Sequence, residues 1–295
     1  MKIGLIDVDG HHFPNLALMK ISSWHKDRGD SVEWYEPLIG GHYDKVYMSK
    51  VFTFTDDYAY PINADEIYQG GTGYKLYDKN LPHDVENIFP DYSIYPECDF
   101  AIGFLTRGCI RKCEWCVVPH KEGLIRPNAD WHQIKRPDTK KILFLDNNVL
   151  AHKHGIEQIA DMAGRKDIRI DFNQGLDARL ITDEIASYLA SVQWIRYIRL
   201  ACDSKEMIPV IEKATDLLEK HGVRRRKIFC YALIKDVEEA LNRIMQLDFI
   251  GVEVFAQPYR NFETNEVDAE AKKLARWCNR KPIFRTCTFE EYKRK

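Results

Sequence analysis

The sequence has no hydrophobic run long enough to cross a membrane. None of its apolar stretches reaches the ~18 residues that a transmembrane helix requires. The first acidic residue, Asp7, comes before the apolar core of a signal peptide could form. Internal repeats and low-complexity segments are also missing from the 295 residues, which excludes solenoid architectures. We therefore expect a globular protein of the cytoplasm, without a membrane partner.

Charge of one sign is not in excess either. The 43 Lys and Arg residues nearly balance the 45 Asp and Glu residues, and the formal net charge is −2. The one basic cluster, residues 224–227, follows His221 and Gly222, and we interpret it as a solvated turn between a helix and a strand. These features predict no strong affinity for nucleic acid. With 45% apolar and 30% charged residues, the chain is long enough for one large domain or two smaller ones.

The eight cysteines are unevenly distributed. Three of them, Cys109, Cys113 and Cys116, stand at Cys-x3-Cys-x2-Cys spacing, after an apolar run at 100–105 and a glycine, Gly108. A loop that follows a buried strand can turn three thiolates toward one metal centre, and soft thiolates select zinc, Cu(I) or iron–sulfur clusters. A closed zinc site takes a fourth ligand, commonly from a second pair, and no second pair follows here. A cubane cluster on three cysteines would keep one iron open to another ligand.

The remaining cysteines are scattered along the chain. In a reducing compartment we expect them to be thiols rather than disulfides. They are Cys98, Cys202, Cys230, Cys278 and Cys287.

The cysteine loop resembles that of the radical SAM superfamily, in which an aromatic residue, here Trp115, precedes the last cysteine. The resemblance implies a [4Fe–4S] cluster on Cys109, Cys113 and Cys116, with S-adenosylmethionine (SAM) chelating the open iron. It also implies that an electron entering SAM releases a 5′-deoxyadenosyl radical, which takes a hydrogen atom from a substrate. An external electron donor of the flavodoxin or ferredoxin type would supply the electron.

Strands and helices alternate from the cysteine loop onward. Apolar runs predict strands at 100–105, 141–145, 168–172, 194–200, 227–234 and 251–255. Helical spacing occurs at 155–163, 182–191 and 206–220, with a last helix near 266–279. Repeated strand–helix units predict an α/β fold with a parallel sheet. The resemblance implies that residues 96–295 form a partial (β/α)6 barrel of the TIM type.

Polar side chains follow these strands at the carboxyl end, which is the active face of such barrels. The second strand ends in Asp146-Asn147-Asn148, where the family has a Gly-Gly-Glu-like turn that holds the amino group of SAM. Carboxylate and amide oxygens accept hydrogen bonds from an ammonium group, and an Arg grips a carboxylate. The predicted cofactor-binding residues are Trp115, Asp146, Asn148, Asn173, Arg179, Arg199 and Asp203, and substrate candidates are Gln257, Tyr259 and Arg260. The alternative for each is a capping or surface role.

Residues 1–95 have the order strand, helix, strand, strand, strand. The strands are predicted at 2–8, 31–35, 45–52 and 65–69, the helix at 14–28, and a covering segment at 74–98. This order predicts an open, Rossmann-like α/β domain.

The first domain resembles a shortened cobalamin-binding domain. The matching elements are Asp9-Gly10-His11-His12-Phe13-Pro14, then Ser49-Lys50-Val51, then Gly70-Gly71. His11 would coordinate cobalt, but Pro14 occupies a glycine position of the family pattern and the domain is short. We therefore expect that cobalamin is not required. Gly70, Gly71 and Gly73 offer another small ligand a close approach to the backbone.

We predict one function from the sequence, and two alternatives remain open. The first is a radical SAM enzyme that acts on an unidentified small molecule or nucleotide-type substrate. The second is a cobalamin-dependent radical SAM methyltransferase or a relative of the methylthiotransferases. The third is a non-catalytic iron–sulfur electron carrier or sensor, which would not need polar side chains at six strand ends.

Overall fold

The computed structural model describes residues 1–293 and divides the chain into two compact units. The N-terminal unit comprises Met1–Ala101 together with His120–Glu122, and the C-terminal unit comprises Ile102–Pro119 and the chain from Gly123 onward. The boundary expected from the sequence lies between residues 95 and 96. No helix within residues 1–293 is both long and apolar enough to span a membrane.

The N-terminal unit contains a parallel sheet of four strands. They are β1 (Lys2–Asp7), β2 (Ser31–Trp34), β3 (Tyr43–Ser49) and β4 (Ala64–Gly70), in the order β2-β1-β3-β4. The apolar run of β1 is buried on both faces, as expected for an inner parallel strand. β3 ends at Ser49, three residues before the predicted end of this strand, because residues 50–52 turn over the carboxylate of Asp9.

Helix α1 (Leu16–Lys26) follows β1 and begins later than predicted. Asn15 is its N-cap, and the side chain of Asn15 accepts a hydrogen bond from the Leu18 amide, so Pro14 lies outside the helix. The segment after β4 includes the short helix α2 (His83–Glu86) and packs against α1. Lys20 and Lys26 of α1 form ion pairs with Glu86 (2.9 Å) and Asp91 (2.6 Å). The segment covers α1, as the sequence predicted.

Eight further strands follow. They are β5 (Ala101–Gly103), β6 (Thr106–Arg107), β7 (Arg126–Pro127), β8 (Lys141–Phe144), β9 (Arg169–Phe172), β10 (Ile198–Ala201), β11 (Ile228–Ile234) and β12 (Glu253–Pro258). Two sheets of three strands have the orders β5-β8-β9 and β10-β11-β12, and β6 pairs with β7 in an antiparallel hairpin. The pairs β8/β9, β10/β11 and β11/β12 are parallel, so the prediction of an α/β fold with parallel sheets is confirmed.

Two isolated parallel bridges lie between β9 and β10: Ile170 of β9 pairs with Trp194, which precedes β10, and Leu176, which follows β9, pairs with Leu200 of β10. The predicted strand at 194–200 is shorter in the structure and begins at Ile198, since Trp194 contributes only its bridge to Ile170. The paired strands β8/β9, β10/β11 and β11/β12 run parallel, so the strands of each pair end at the same edge of their sheet. The polar residues that follow these strands can meet there.

Helices lie between most of these strands. They are α3 (Val118–Lys121), α4 (Trp131–Ile134), α5 (Lys153–Met162), α6 (Asp183–Ser191), α7 (Ile208–Lys220), α8 (Val237–Ile250), α9 (Ala269–Asn279), α10 (Lys281–Phe284) and α11 (Phe289–Lys293). Most of the longer ones begin at side-chain caps, such as Thr182, Asp236 and Asp268, whereas α7 has none. Short 3-10 segments occupy Thr72–Tyr74, Tyr92–Ile94, Val149–Ala151, Ala178–Leu180, Lys205–Met207 and Arg225–Lys227.

Candidate metal and cofactor site

The loop that carries the three cysteines is closed at its base by the β6/β7 hairpin. Gly108 begins the loop with a positive φ of 85°, and a Cβ atom at this position would lie 2.4 Å from the carbonyl oxygen of Leu124. The amide of Cys109 donates to the carbonyl of Gly123 (3.2 Å). Both ends of the loop are thus held together at a point where only glycine fits.

Asp146, at the end of β8, fixes the junction between β5 and this loop. Its carboxylate is 1% exposed and accepts hydrogen bonds from the amides of Leu105 (3.0 Å) and Thr106 (2.6 Å) and from the Thr106 hydroxyl (2.7 Å). Burial raises the pKa of Asp146 to about 6, although these hydrogen bonds favour the ionised form. Asp146 therefore positions the cysteine loop, a role that the sequence prediction of a SAM contact did not include.

The three thiols are half-buried, and none of them forms a disulfide. Burial raises the pKa of Cys113 and of Cys116, while the guanidinium of Arg179 acts in the opposite direction on Cys113. The Cys109 sulfur accepts hydrogen bonds from the Arg111 amide (3.3 Å) and from Asn148 Nδ2 (3.4 Å). Uptake of iron would displace the protons of these thiols.

Within residues 1–293, no group of three or more His, Cys, Asp or Glu side chains is arranged to hold a single metal ion. A cubane cluster has a different requirement, because each of its cysteines binds a different iron and the sulfurs do not converge on one point. The donor set of the loop, three soft thiolates without a nearby fourth, fits such a cluster.

Asp177 connects the polar residues around the loop, and the sequence analysis did not select it. Its carboxylate, 6% exposed, accepts from Arg111 Nε (2.9 Å), Arg179 Nε (2.6 Å) and Asn148 Nδ2 (3.3 Å). Burial opposes ionisation of Asp177, but the hydrogen bonds from Arg179 and Arg111 outweigh it and hold the pKa below its usual value. The sequence did offer a signal for Asp177, because it stands between Asn173 and Arg179 in the polar segment that follows a predicted strand.

One side-chain atom of Asn148 has no hydrogen-bond partner among the described residues. The residue is 3% exposed, and Nδ2 donates to Cys109 and Asp177, which fixes the direction of the amide. Its Oδ1 is buried and has no hydrogen-bond partner among the described residues. A buried acceptor without a donor costs about 1–3 kcal/mol, so this atom favours a ligand that brings an N–H or O–H group. The ammonium group of SAM fits this requirement.

Two of the predicted cofactor-binding residues, Trp115 and Asp203, are neighbours in the structure. The Trp115 side chain lies near Asp203, which follows β10, and burial raises the pKa of that carboxyl while Trp115 lowers it slightly. Lys235 Nζ lies 4.8 Å from the centroid of the Trp115 ring and 3.7 Å from the Glu114 carboxylate. Trp115, the aromatic residue of the cysteine motif, therefore lies against residues that follow β10 and β11.

Arg199 and Asn173 belong to a second polar group, on the sheets themselves. The Arg199 guanidinium grips Asp171 through two hydrogen bonds of 2.7 and 2.8 Å and contacts the hydroxyl of Tyr231 at 3.3 Å. The Tyr231 hydroxyl donates to the backbone carbonyl of Asn173 (2.8 Å). The Asp171 carboxylate is 3% exposed and neutralises the charge of Arg199. The guanidinium is therefore already occupied and is not available to bind the carboxylate of methionine.

In the N-terminal unit, close packing of the chain explains two of the glycines at 70–73, Gly71 and Gly73. A Cβ on Gly71, which has a φ of 100°, would lie 2.2 Å from the Lys50 carbonyl oxygen, and one on Gly73 would lie 2.4 Å from Lys50 Cγ. The two glycines therefore let this turn pack against Lys50. His11 lies against the ring of Trp34, with centroids 4.0 Å apart, and edge-on to Tyr95. These contacts are consistent with a scaffold role for this sheet edge.

The remaining candidates have ordinary partners or lie in solvent. Gln257 is exposed, and Arg260 donates to the carbonyl of Asn265 (2.6 Å) within its own loop. Arg225, from the basic cluster, pairs with Asp216 and Glu219 in the turn between α7 and β11, as predicted. The ring centroid of Tyr259 lies 5.8 Å from Lys235 Nζ. The side chain of His152 caps the N-terminus of α5. Burial raises the pKa of the Cys278 thiol to about 11.

The C-terminal unit thus assembles six of the predicted cofactor or metal residues around one loop: Cys109, Cys113, Trp115, Asn148, Arg179 and Asp203. Thiols are suitable ligands for an iron–sulfur cluster. The buried Oδ1 of Asn148 can accept a hydrogen bond from an ammonium group beside it, and Arg111 and Arg179 are neutralised by Asp177. No protein-family model matches the chain, and no curated protein matches it.

Proposed function

We propose that this protein is a radical SAM enzyme. Cys109, Cys113 and Cys116 would hold a [4Fe–4S] cluster, and SAM would occupy the open iron. In this proposal the two three-stranded sheets of the C-terminal unit form the partial (β/α)6 barrel, and the N-terminal sheet is a Rossmann-like domain. The observation that carries the proposal is Asn148, which donates to the Cys109 sulfur and keeps a buried, unpaired Oδ1 beside it.

Asp146 and Gly108 hold the cysteine loop before any ligand binds. Asp146 uses its carboxylate on the loop junction, and Gly108 allows the close approach to Leu124. A site that is preorganised in this way loses less conformational entropy when a cluster forms. Cys109, Cys113 and Cys116 would hold the cluster, which would supply the electron for reductive cleavage of SAM.

Asn148 and Arg111 act on the Cys109 sulfur. Hydrogen bonds to a cluster sulfur are among the factors that set its reduction potential. Asn148 would also accept a hydrogen bond from the ammonium group of SAM through Oδ1, which satisfies an atom that is otherwise unpaired. Asp177 keeps the Asn148 amide in this direction and leaves Arg179 close to Cys113. Asp203 lies near Trp115, the aromatic residue of the cysteine motif.

The test is anaerobic reconstitution followed by iron, sulfide and product analysis. We expect about one four-iron cluster per chain, and its loss when Cys109, Cys113 and Cys116 are replaced together by alanine. Cys287→Ser, at a cysteine that is also half-buried but lies outside the loop, is the matched control and retains the cluster. Iron and sulfide at wild-type levels in the triple variant would refute the ligand assignment.

The enzyme is separated from an electron carrier by its reaction with SAM. Reduced protein with SAM is expected to yield 5′-deoxyadenosine and methionine above a Cys113→Ala blank. Asn148→Leu keeps the volume but removes both polar atoms, so we expect weaker SAM binding with the iron content preserved. If the reconstituted wild type binds no SAM and releases no 5′-deoxyadenosine above the blank, the electron carrier is the better account.

A further inference from the structure

One face of the strands β11 and β12 is buried, and the other face is half-buried on β11 and partly exposed on β12. β11 alternates between buried and half-buried residues along its whole length, and in β12 Val254 and Ala256 are buried whereas Phe255 and Gln257 are exposed. The helices α8 and α9 pack on these strands. In parallel strands, paired residues point to the same side, and Arg199–Phe229, Tyr231–Phe255 and Leu233–Gln257 are such pairs. We call these six residues the open face: Arg199, Phe229, Tyr231, Leu233, Phe255 and Gln257.

Aromatic rings form a row that ends on the open face. The rings of Tyr197 and Phe229 have centroids 5.4 Å apart and an angle of 31° between their planes, and those of Phe229 and Phe255 are 5.7 Å apart at 28°. Phe255 is 39% exposed, which is high for a phenylalanine in a sheet. Within residues 1–293, β12 is the last strand of its sheet, so the row has no further ring after Phe255. Another flat ring could extend it there by stacking.

The charges near the row exclude an anionic group as the main point of recognition. Arg199 lies 5.1 Å from the centroid of the Phe229 ring, but its guanidinium is gripped by the Asp171 carboxylate. Glu253, two residues before Phe255 on the same side, is paired with Lys281 at 3.4 Å. The charges of Arg199 and Glu253 are therefore both compensated. A neutral ring fits this surface better than a phosphate or a carboxylate.

A peptide strand does not fit the same place. The edge of β12 is closed at Ala256, whose amide donates to Asn279 Oδ1 and whose carbonyl accepts from Asn279 Nδ2, both at 2.8 Å. Addition of a strand requires these backbone groups to be available. Gln257, two residues beyond Phe255, is about 7 Å away along the strand and carries an exposed amide on the same side. An amide in this position can pair with the donor–acceptor edge of a heterocycle.

We propose that the open face binds the substrate through a planar, uncharged heteroaromatic ring with a donor–acceptor edge, such as a nucleobase. The ring would stack on Phe255, and the Gln257 amide would pair with its edge. That the bound molecule is a substrate rests on the proposed function. The binding of the ring itself does not.

The probes are adenosine, guanosine, cytidine and uridine, with ribose as the blank, titrated into the full-length chain and followed by ligand-observed NMR. We expect at least one nucleoside to bind and ribose not to bind. Loss of a base–aromatic stack is worth about 1–3 kcal/mol, so Phe255→Leu is expected to weaken binding about 5- to 150-fold, and Gln257→Ala to weaken it less. Phe249→Leu, at a phenylalanine on α8 that is 93% exposed, is the matched control and leaves binding unchanged.

Two further arms separate this proposal from the proposed function. The variant without the three loop cysteines is expected to bind the nucleoside as the wild type does, even though it can form no cluster. In the reconstituted protein, methionine, which shares the amino and carboxylate groups of SAM but has no ring, is expected not to compete with the nucleoside. The proposal is overturned if no nucleoside binds below about 10 mM (a Kd of 1 mM corresponds to about −4 kcal/mol), if Phe255→Leu binds as tightly as the wild type, or if methionine displaces the nucleoside.

Discussion

Replacement of Asp146 tests the physical basis of the cysteine loop without any cofactor. In Asp146→Ala, the amides of Leu105 and Thr106 and the hydroxyl of Thr106 lose their acceptor. Each buried donor that remains unpaired costs about 1–3 kcal/mol, and water that enters the vacated space reduces the sum. We expect the free energy of unfolding to fall by about 3–5 kcal/mol, at the upper end of the range for single substitutions.

A double-mutant cycle isolates the interaction. Thr106→Val removes only the hydroxyl, so it is expected to cost about 1 kcal/mol in the wild type. In the Asp146→Ala background the same change removes an unpaired donor and is expected to cost nothing or to stabilise. The coupling energy of the pair should therefore be about 1 kcal/mol or more. Asp138→Ala, at a carboxylate that is 62% exposed, is the control and should change stability by less than about 0.5 kcal/mol.

The pH dependence follows from the raised pKa of Asp146. The folded protein protonates this group at about 6, while the unfolded chain does so near 3.8, so between these values only the folded protein holds the proton. The contribution of Asp146 to stability therefore rises as the pH falls from 7 toward 4. Asp146→Asn cannot titrate, and the stability difference between wild type and this variant should grow by about 1 kcal/mol from pH 7 to pH 5. Other carboxyls with raised pKa values, such as Asp7, are present in both proteins and cancel.

The measurement is urea-induced unfolding of the full chain under reducing conditions, followed by circular dichroism and tryptophan fluorescence at both pH values. A loss of less than about 1 kcal/mol for Asp146→Ala would mean that the three donors find other acceptors. A stability difference that shrinks at pH 5 would contradict the raised pKa. The first result would refute the assignment of Asp146 as the residue that holds the loop, and the second would show that its hydrogen bonds outweigh its burial.

Two further predictions concern the N-terminal unit. Gly71→Ala places a Cβ 2.2 Å from the Lys50 carbonyl oxygen, so it should destabilise the protein more than Gly29→Ala, which also has a positive φ but nothing within 4 Å. Equal losses in urea unfolding would show that the contact relaxes. Hydroxocobalamin should not be retained after gel filtration, as judged by absorbance, because His11 lies against Trp34 and the glycine turn packs on Lys50. Stoichiometric retention that is lost in His11→Ala would favour the cobalamin-dependent methyltransferase.

Much of the fold could be predicted from local patterns. The apolar runs of β1, β8 and β11 and the alternation of strands with helices predicted parallel sheets, since these patterns depend on neighbours within a few residues. The cysteine loop was also readable locally, because the spacing of its cysteines and the glycine before them lie within nine residues. Errors remained at element ends. Pro14 was placed inside α1, although Asn15 caps it, because a proline and an asparagine both suit a helix start.

The chemistry around the loop was decided by tertiary structure. Asp146 meets Thr106 from 40 residues away, Arg111 meets Asp177 across 66 residues, and Arg199 is neutralised by Asp171 across 28. No local pattern records which polar side chain will face another at such separations, because the pairing depends on strand register and on how the sheets bring their ends together. The sequence by itself thus determined that three thiolates share one loop. Only the folded chain determined which residues hold that loop, which atom of Asn148 has no hydrogen-bond partner, and which residues of β12 stay exposed.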